Sequence, residues 1–280
     1  MQLLEPTRWE RGRVPAELVG ARHRSPLIQA GRGQALFSMD SVGRFLVRPG
    51  RPVVVEAAAG ATDADIGCML AGPVAALQCC LEGVPCLRGA AVEVAGQGVL
   101  VVGGARGTSA LAAALARRGA KVVADSVLCT GAGPPAVWPA PGNPPGRLAL
   151  WPDVARAIGL GPEQGAQVRP ALSLRSFPLG PGAAPPVPIA AAVMTTVDSA
   201  LGGDGPHVER GRMSQLEAVR ALLDASWHSP VVGDLGRRRD EFEHLTRLAA
   251  DVPMWRLRRA DTALPGTLEE LALQVEECLQ

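Results

Sequence analysis

Between Leu87 and Leu128 the chain reads as strand, glycine-rich loop, helix, strand and acid, and this order constrains the fold more than any other feature. Ala90–Val94 alternates in polarity and predicts a strand. Gly96-Gln97-Gly98 predicts a turn. Val99-Leu100-Val101-Val102 is a continuous apolar run, the pattern of a strand buried on both faces. Gly103-Gly104-Ala105-Arg106-Gly107-Thr108-Ser109 is a glycine-rich loop. Ala110 to Arg118 is rich in helix formers and is stopped by Gly119. Lys121-Val122-Val123-Ala124 predicts a second buried strand that ends on Asp125. Together these make a βαβ unit, and the fold class expected is α/β.

A glycine-rich turn between a buried strand and a helix is the setting of a phosphate loop. Glycines let backbone N–H groups turn inward around phosphate oxygens, and the helix start adds partial positive charge. In an ATP-using loop a lysine neutralises the terminal phosphates and a hydroxyl holds Mg²⁺. Gly107 and Ser109 stand where the last glycine and the hydroxyl belong, and Thr108 occupies the lysine position. The first glycine of the motif falls on Val102 without a gap, or on Gly103 in a loop one residue shorter. The candidate cofactor-binding residues are Gly103, Gly104, Arg106, Gly107, Thr108 and Ser109. Ser109 and Asp125 are the candidate metal ligands, and Asp125 is the candidate catalytic residue. Lys121, the only lysine, begins its strand, whereas ligands on such sheets sit at the strands' carboxyl ends. Arg106 lies in the loop, but its planar fork is not a geometric replacement for an ammonium. Two plainer readings stand beside these. The loop is a tight turn, and Asp125 caps or hydrogen-bonds it.

The flanking sequence fills in the organisation. Residues 1–34 are rich in Arg, Gly and Pro without periodicity and predict an irregular arm. Gln34–Ser38, Val42–Val47 and Pro52–Ala57 predict three strands. Thr62 or Asp63 caps a helix reaching Leu81, with Ile66, Leu70, Val74, Leu77 and Leu81 on one face and a kink at Gly72-Pro73. Gly131–Gly146 and Gly180–Pro188 predict loops. A short helix follows Trp151-Pro152-Asp153, Pro188–Thr196 is strand-like, and Asp198–Arg212 reads as a surface excursion. Helices over about 214–227, 237–250 and 267–278 and a strand at Met254–Leu257 complete the chain.

Composition excludes several function classes. The formal charge of +1 over 280 residues gives no electrostatic case for nucleic acid or an anionic membrane. Arginine replaces lysine almost throughout and tyrosine is absent, the mark of a GC-rich bacterial genome. The amino terminus lacks a basic segment followed by an apolar run, so no signal peptide is expected. No apolar run reaches the ~18 residues of a membrane span. A cytoplasmic protein is expected. The six cysteines lack Cys-x-x-Cys spacing and read as small buried apolar residues in a reducing compartment. His23, His207, His228 and His244 show no ligand spacing, and Arg237-Arg238-Arg239 reads as a solvated helix face before it reads as an anion site.

At these residues the chain resembles the HPr kinase/phosphorylase family, in particular its shorter HPr-kinase-related members. The marks are Leu87-Arg88-Gly89-Ala90-Ala91-Val92 for the first strand, Gly107 to Gly119 for loop and helix, and Val123-Ala124-Asp125-Ser126 for the acid. Arg147 to Asp153, Leu172 to Leu179 with Arg175, and Val252 to Arg258 resemble later segments of the family. The resemblance implies a phosphate-loop core over residues 87–280, a small β/α subdomain over 35–86, and ATP with Mg²⁺ where the site functions. It also departs from the family pattern. Arg88 stands where the family usually has a histidine, Thr108 replaces the loop lysine, and Ser126 replaces the second acid. Phosphoryl transfer depends on charge neutralisation and positioning. These losses therefore imply a pseudokinase-like component that binds a peptide or protein partner, and the resemblance allows a homo-oligomer. The alternative is an active ATP-dependent kinase in which Arg106 or Arg175 stands in for the lysine. A weaker third reading is an anion sensor using the loop's N–H groups.

Overall fold

The computed structural model describes residues 8–103, 107–131, 133–198, 200–201, 207–260 and 264–279. The chain starts with β1 (Trp9–Arg11), β2 (His23–Arg24), β3 (Ile28–Gly31), β4 (Gln34–Met39), β5 (Gly43–Val47) and β6 (Val53–Ala57). They form one sheet in the order β1-β6-β5-β4-β3-β2, antiparallel except for the β1–β6 pair. The irregular arm expected over residues 1–34 is therefore corrected for residues 8–31, which supply three strands. Strands of two to four residues are too short to show a period of two in the sequence.

Thr62 then caps α1 (Asp63–Met69) with a reciprocal capping box through Asp65. A π-helical stretch, Leu70–Val74, carries the chain into α2 (Ala75–Glu82). Pro73 removes a helical N–H, and Gly72 absorbs the break at φ −109° and ψ −107°. The expected face packs as predicted, with Ile66, Leu70, Val74, Leu77 and Leu81 in the core of the first sheet. The helical span Asp63–Glu82 is long and apolar enough to cross a membrane, but 61% of its most apolar window is buried inside this fold. Ala75, Ala76 and Cys79 on the opposite side of α2 face the second sheet, so the helix serves two cores.

The second sheet begins with β7 (Cys86–Val94) and β8 (Gln97–Val102), a hairpin turning on Ala95-Gly96, both at positive φ. Next come α3 (Thr108–Arg117), β9 (Lys121–Thr130) and β10 (Ala136–Pro139). A three-stranded side sheet follows, built from β11 (Arg147–Leu150), β12 (Ala166–Gln167) and β13 (Arg175–Pro178), with α4 (Pro152–Ala157) between the first two. The chain ends with β14 (Val187–Val197), β15 (Val208–Arg212), α5 (Gln215–Ala225), α6 (Ser229–Asp234), α7 (Arg238–Asp251), β16 (Met254–Arg259) and α8 (Leu264–Glu277).

The second sheet runs β10-β9-β7-β8-β14-β16-β15, with β8, β14 and β16 mutually parallel. β10 also pairs with the start of β14, so five strands close on themselves at one end. Alternate residues of the buried strands feed two cores. Val99, Val101, Val122 and Val193 meet α3, α4 and α8 on one face. Leu100, Val102, Val123 and Ala192 meet α5 and α7 on the other. The apolar run 99–102 is thus buried on both faces, as its sequence predicts. The two sheets interlock. Val231 of α6 lies in the core of the first sheet, and Arg169 and Asp65 pair at 2.9 Å with both side chains mostly buried.

Four expectations change within this region, the first being the surface excursion expected over Asp198–Arg212, whose end is β15 paired with β16. β8 and β9 are parallel, but β7 lies between them, so α3 crosses over an antiparallel strand. β9 does not end on Asp125 but continues to Thr130. The loop expected over 131–146 contains β10, whose Pro-rich surroundings hide a four-residue strand.

Candidate functional site

The site lies where β8 gives way to α3. Val102 is the last residue of β8, and Gly103 follows at φ +138°. Gly107 precedes α3 at φ +125°, and its carbonyl accepts the N–H of Leu111 at 2.9 Å. A side chain at Gly107 would be strained by that φ, and its Cβ would stand 3.3 Å from the Thr195 hydroxyl. Gly104 and Arg106, two of the expected phosphate-binding residues, lie outside the described residues.

Cross-strand register carries Asp125 to this place. Asp125 opposes Ala90 and Ala90 opposes Val101, which sets the acid level with the carboxyl end of β8. The Ser109 hydroxyl donates to Asp125 Oδ1 at 2.8 Å, so the structure brings the two candidate metal ligands together. The same oxygen accepts the Ser126 N–H at 2.9 Å, and Oδ2 accepts the Ala149 N–H from β11 at 2.7 Å. The Asn143 side chain donates to the Asp125 carbonyl. Asp125 is only 4% exposed. Burial pushes its carboxyl above the usual range, against the downward pull of the Ala149, Ser109 and Ser126 hydrogen bonds.

The consequence is chemical. Two carboxylate oxygens offer about four acceptor positions, and three are filled from the protein. Mg²⁺ keeps several waters and an octahedral shell of oxygens. A carboxylate this buried and this committed ties the first turn of α3 to β9 and β11.

Thr108, in the lysine position, is also buried. Arg88 donates to the Asp224 carbonyl at 2.6 Å and lies over the Trp227 ring at 5.6 Å. Trp227 Nε1 donates to the Ser126 carbonyl at 3.0 Å. Arg88 and Ser126 are thereby joined through an indole. The two arginines considered as lysine substitutes divide: Arg106 is undescribed, and Arg175 donates to the Gly165 carbonyl at 3.0 Å within the side sheet. Lys121 pairs with Glu93 at 2.9 Å, level with the start of β8 and therefore at the far end of the strands.

Two cavities, of about 410 and 450 Å³, occupy other places. One lies beside α2, Trp227 and α7, and the other lies at the far end of α3. Neither is lined by Gly103, Gly107, Thr108, Ser109 or Asp125. Two polar pairings in and near the first cavity escaped the sequence reading. Buried Glu241 accepts from Ser226 and Ser229, and buried His244 bonds Thr130 at 2.9 Å. Thr130 and His244 are over a hundred residues apart, so no spacing pattern announces their pairing.

No family model matches the chain, and no curated protein matches it. Among solved structures, the HPr(Ser) kinase/phosphatase from Coxiella burnetii is similar over 69% of this chain and 96% of that one, at 13% identity and a TM-score of 0.32. A superposition that loose carries no argument about activity.

Proposed function

We propose that the chain is a degenerate relative of the HPr kinases that acts by binding a peptide or protein partner and transfers no phosphate. The observation that carries this reading is the Asp125 carboxyl, which is buried, raised in pKa and filled by three donors from the protein. Buried Thr108 in the lysine position supports it, because a buried hydroxyl cannot neutralise phosphate charge. So does Arg88, whose guanidinium is occupied by Asp224 and Trp227. The reading divides the chain into an 87–280 core and a β/α subdomain that starts before residue 35, because β1, β2 and β3 complete its sheet.

Calorimetric titration with ATP and Mg²⁺, repeated on Asp125→Asn, tests it. No binding up to millimolar ATP is expected. Micromolar binding that vanishes in the variant overturns the proposal. It would favour the active-kinase reading, whose one geometric support is the 2.8 Å approach of Ser109 to Asp125.

A further inference from the structure

Three cysteines far apart in sequence meet in the interior. Cys79 comes from α2, Cys86 opens β7, and Cys129 lies near the end of β9. Cys86 and Cys129 are register partners on adjacent antiparallel strands, and α2 lowers Cys79 onto them. Cys129 Sγ is 3.7 Å from Cys79 Sγ and 3.7 Å from Cys86 Sγ, and all three sulfurs lie within 4.8 Å of one another. All three cysteines are free thiols and buried.

An ion at about 2.3 Å from each of three sulfurs holds them roughly 4 Å apart. The triangle therefore already has the size such an ion needs. Its surroundings are Ala75, Ala76, Val127, Trp138 and Ala140. Thiolate sulfur selects soft ions such as Cu(I) and Zn(II). Structural zinc takes four ligands, and among the described residues no further His, Cys, Asp or Glu completes this group. Cys86 also lines the 410 Å³ cavity beside α7, which gives an ion a way in.

We infer that Cys79, Cys86 and Cys129 form a three-sulfur site for a soft, thiophilic cation of low coordination number, with Cu(I) as the fitting probe. A bound cation replaces the thiol protons, so uptake releases protons to solvent. This site is independent of the glycine loop, and its test does not depend on the fate of that reading.

The experiment is anaerobic loading of the full chain with Cu(I), removal of excess by a competing chelator, and X-ray absorption at the copper edge. One copper per chain with a shell of three sulfurs is expected. The variant Cys68→Ser/Cys80→Ala/Cys278→Ser keeps only the clustered cysteines and is expected to behave identically. Cys129→Ser is expected to lose affinity at least tenfold. Failure of the natural chain to retain copper overturns the inference. So does loss of copper in the triple variant, or unchanged retention in a Cys129→Ser protein shown to be folded by circular dichroism. Where Cys129→Ser does not fold, the triple variant decides alone. Parallel loading with Zn(II) separates the ions: zinc held more tightly, with a nitrogen or oxygen neighbour, refutes the low-coordination site.

Discussion

Replacing Asp125 by asparagine changes stability with a sign that reveals what the carboxyl is for. A protonated carboxyl and an amide have nearly the same shape, but the acid keeps acceptor capacity on both oxygens and the amide on one, so Asp125→Asn leaves either the Ala149 N–H or the Ser126 N–H facing an NH₂ group. In acid, Asp125→Asn should therefore be weaker than the natural chain by about 1–3 kcal/mol, the cost of one buried donor left unpaired. Burial raises the folded carboxyl above its unfolded value. The stability it contributes is complete below the unfolded pKa, about 3.9, and is lost as pH rises through the folded value. The asparagine variant has no such loss. It should gain on the natural chain as pH rises, by about 1.4 kcal/mol for each unit of displacement, and the gain should level off above the folded pKa. Urea denaturation of both proteins from pH 4.5 to 8, with equal slopes, measures the difference. A carboxylate held by an undiscovered cation would behave oppositely. Its removal at neutral pH would cost about 3–5 kcal/mol, and the gap would close in acid. That result would refute the structural role assigned to Asp125 and reopen the metal site.

Other outcomes follow from the same geometry. Burial drives His244 down to about 4; its stabilising effect is complete above the unfolded value of about 6.5 and is lost towards pH 4, about 3 kcal/mol in all, and urea midpoints of His244→Gln should lack that loss. Gly43 sits at φ +139° with a would-be Cβ 2.3 Å from the Glu56 carbonyl; Gly43→Ala should destabilise by several kcal/mol (roughly 2–4) in urea unfolding. Leu100 is fully buried in the middle of β8; Leu100→Ala should cost about 2–5 kcal/mol with an unchanged denaturant slope, and a cost under 1 kcal/mol would mean that the sheet core repacks. Ser109→Ala removes only one of three donors to Asp125, so its cost should be about 1 kcal/mol and its thermal unfolding should stay cooperative.

Local order was legible in the sequence wherever a run was long enough to carry a period. The helical face from Ile66 to Leu81 and its break at Gly72-Pro73 were readable because spacing and proline chemistry are local properties. The run Val99–Val102 announced a strand covered on both sides. Serine and acid at the loop were readable as a pair because the strand–loop–helix–strand order brings them close. What could not be read depends on neighbours distant in sequence. Nothing around Asp125 says that β11 will deliver the Ala149 N–H to it, and that contact turns an exposed ligand into a buried tie. Nothing around Cys86 says that Cys129 will stand opposite, because register across a sheet is decided by whole strands. Strands β1, β2, β3, β10, β11, β12 and β13, of two to four residues each, were missed for the plainer reason of length.

The pairing of β10 with both β9 and β14 also governs how this molecule meets copies of itself. A sheet that ends in an unpaired strand offers its neighbours a template for edge-to-edge growth. Here the β10 side is spent on the sheet's own interior hydrogen bonds, so the exposed end of the large sheet among the described residues is β15. That strand is five residues long, reads Val208-Glu209-Arg210-Gly211-Arg212, and holds both arginines over the ring of Trp255. Short and charged, that strand is a poor template for an incoming one.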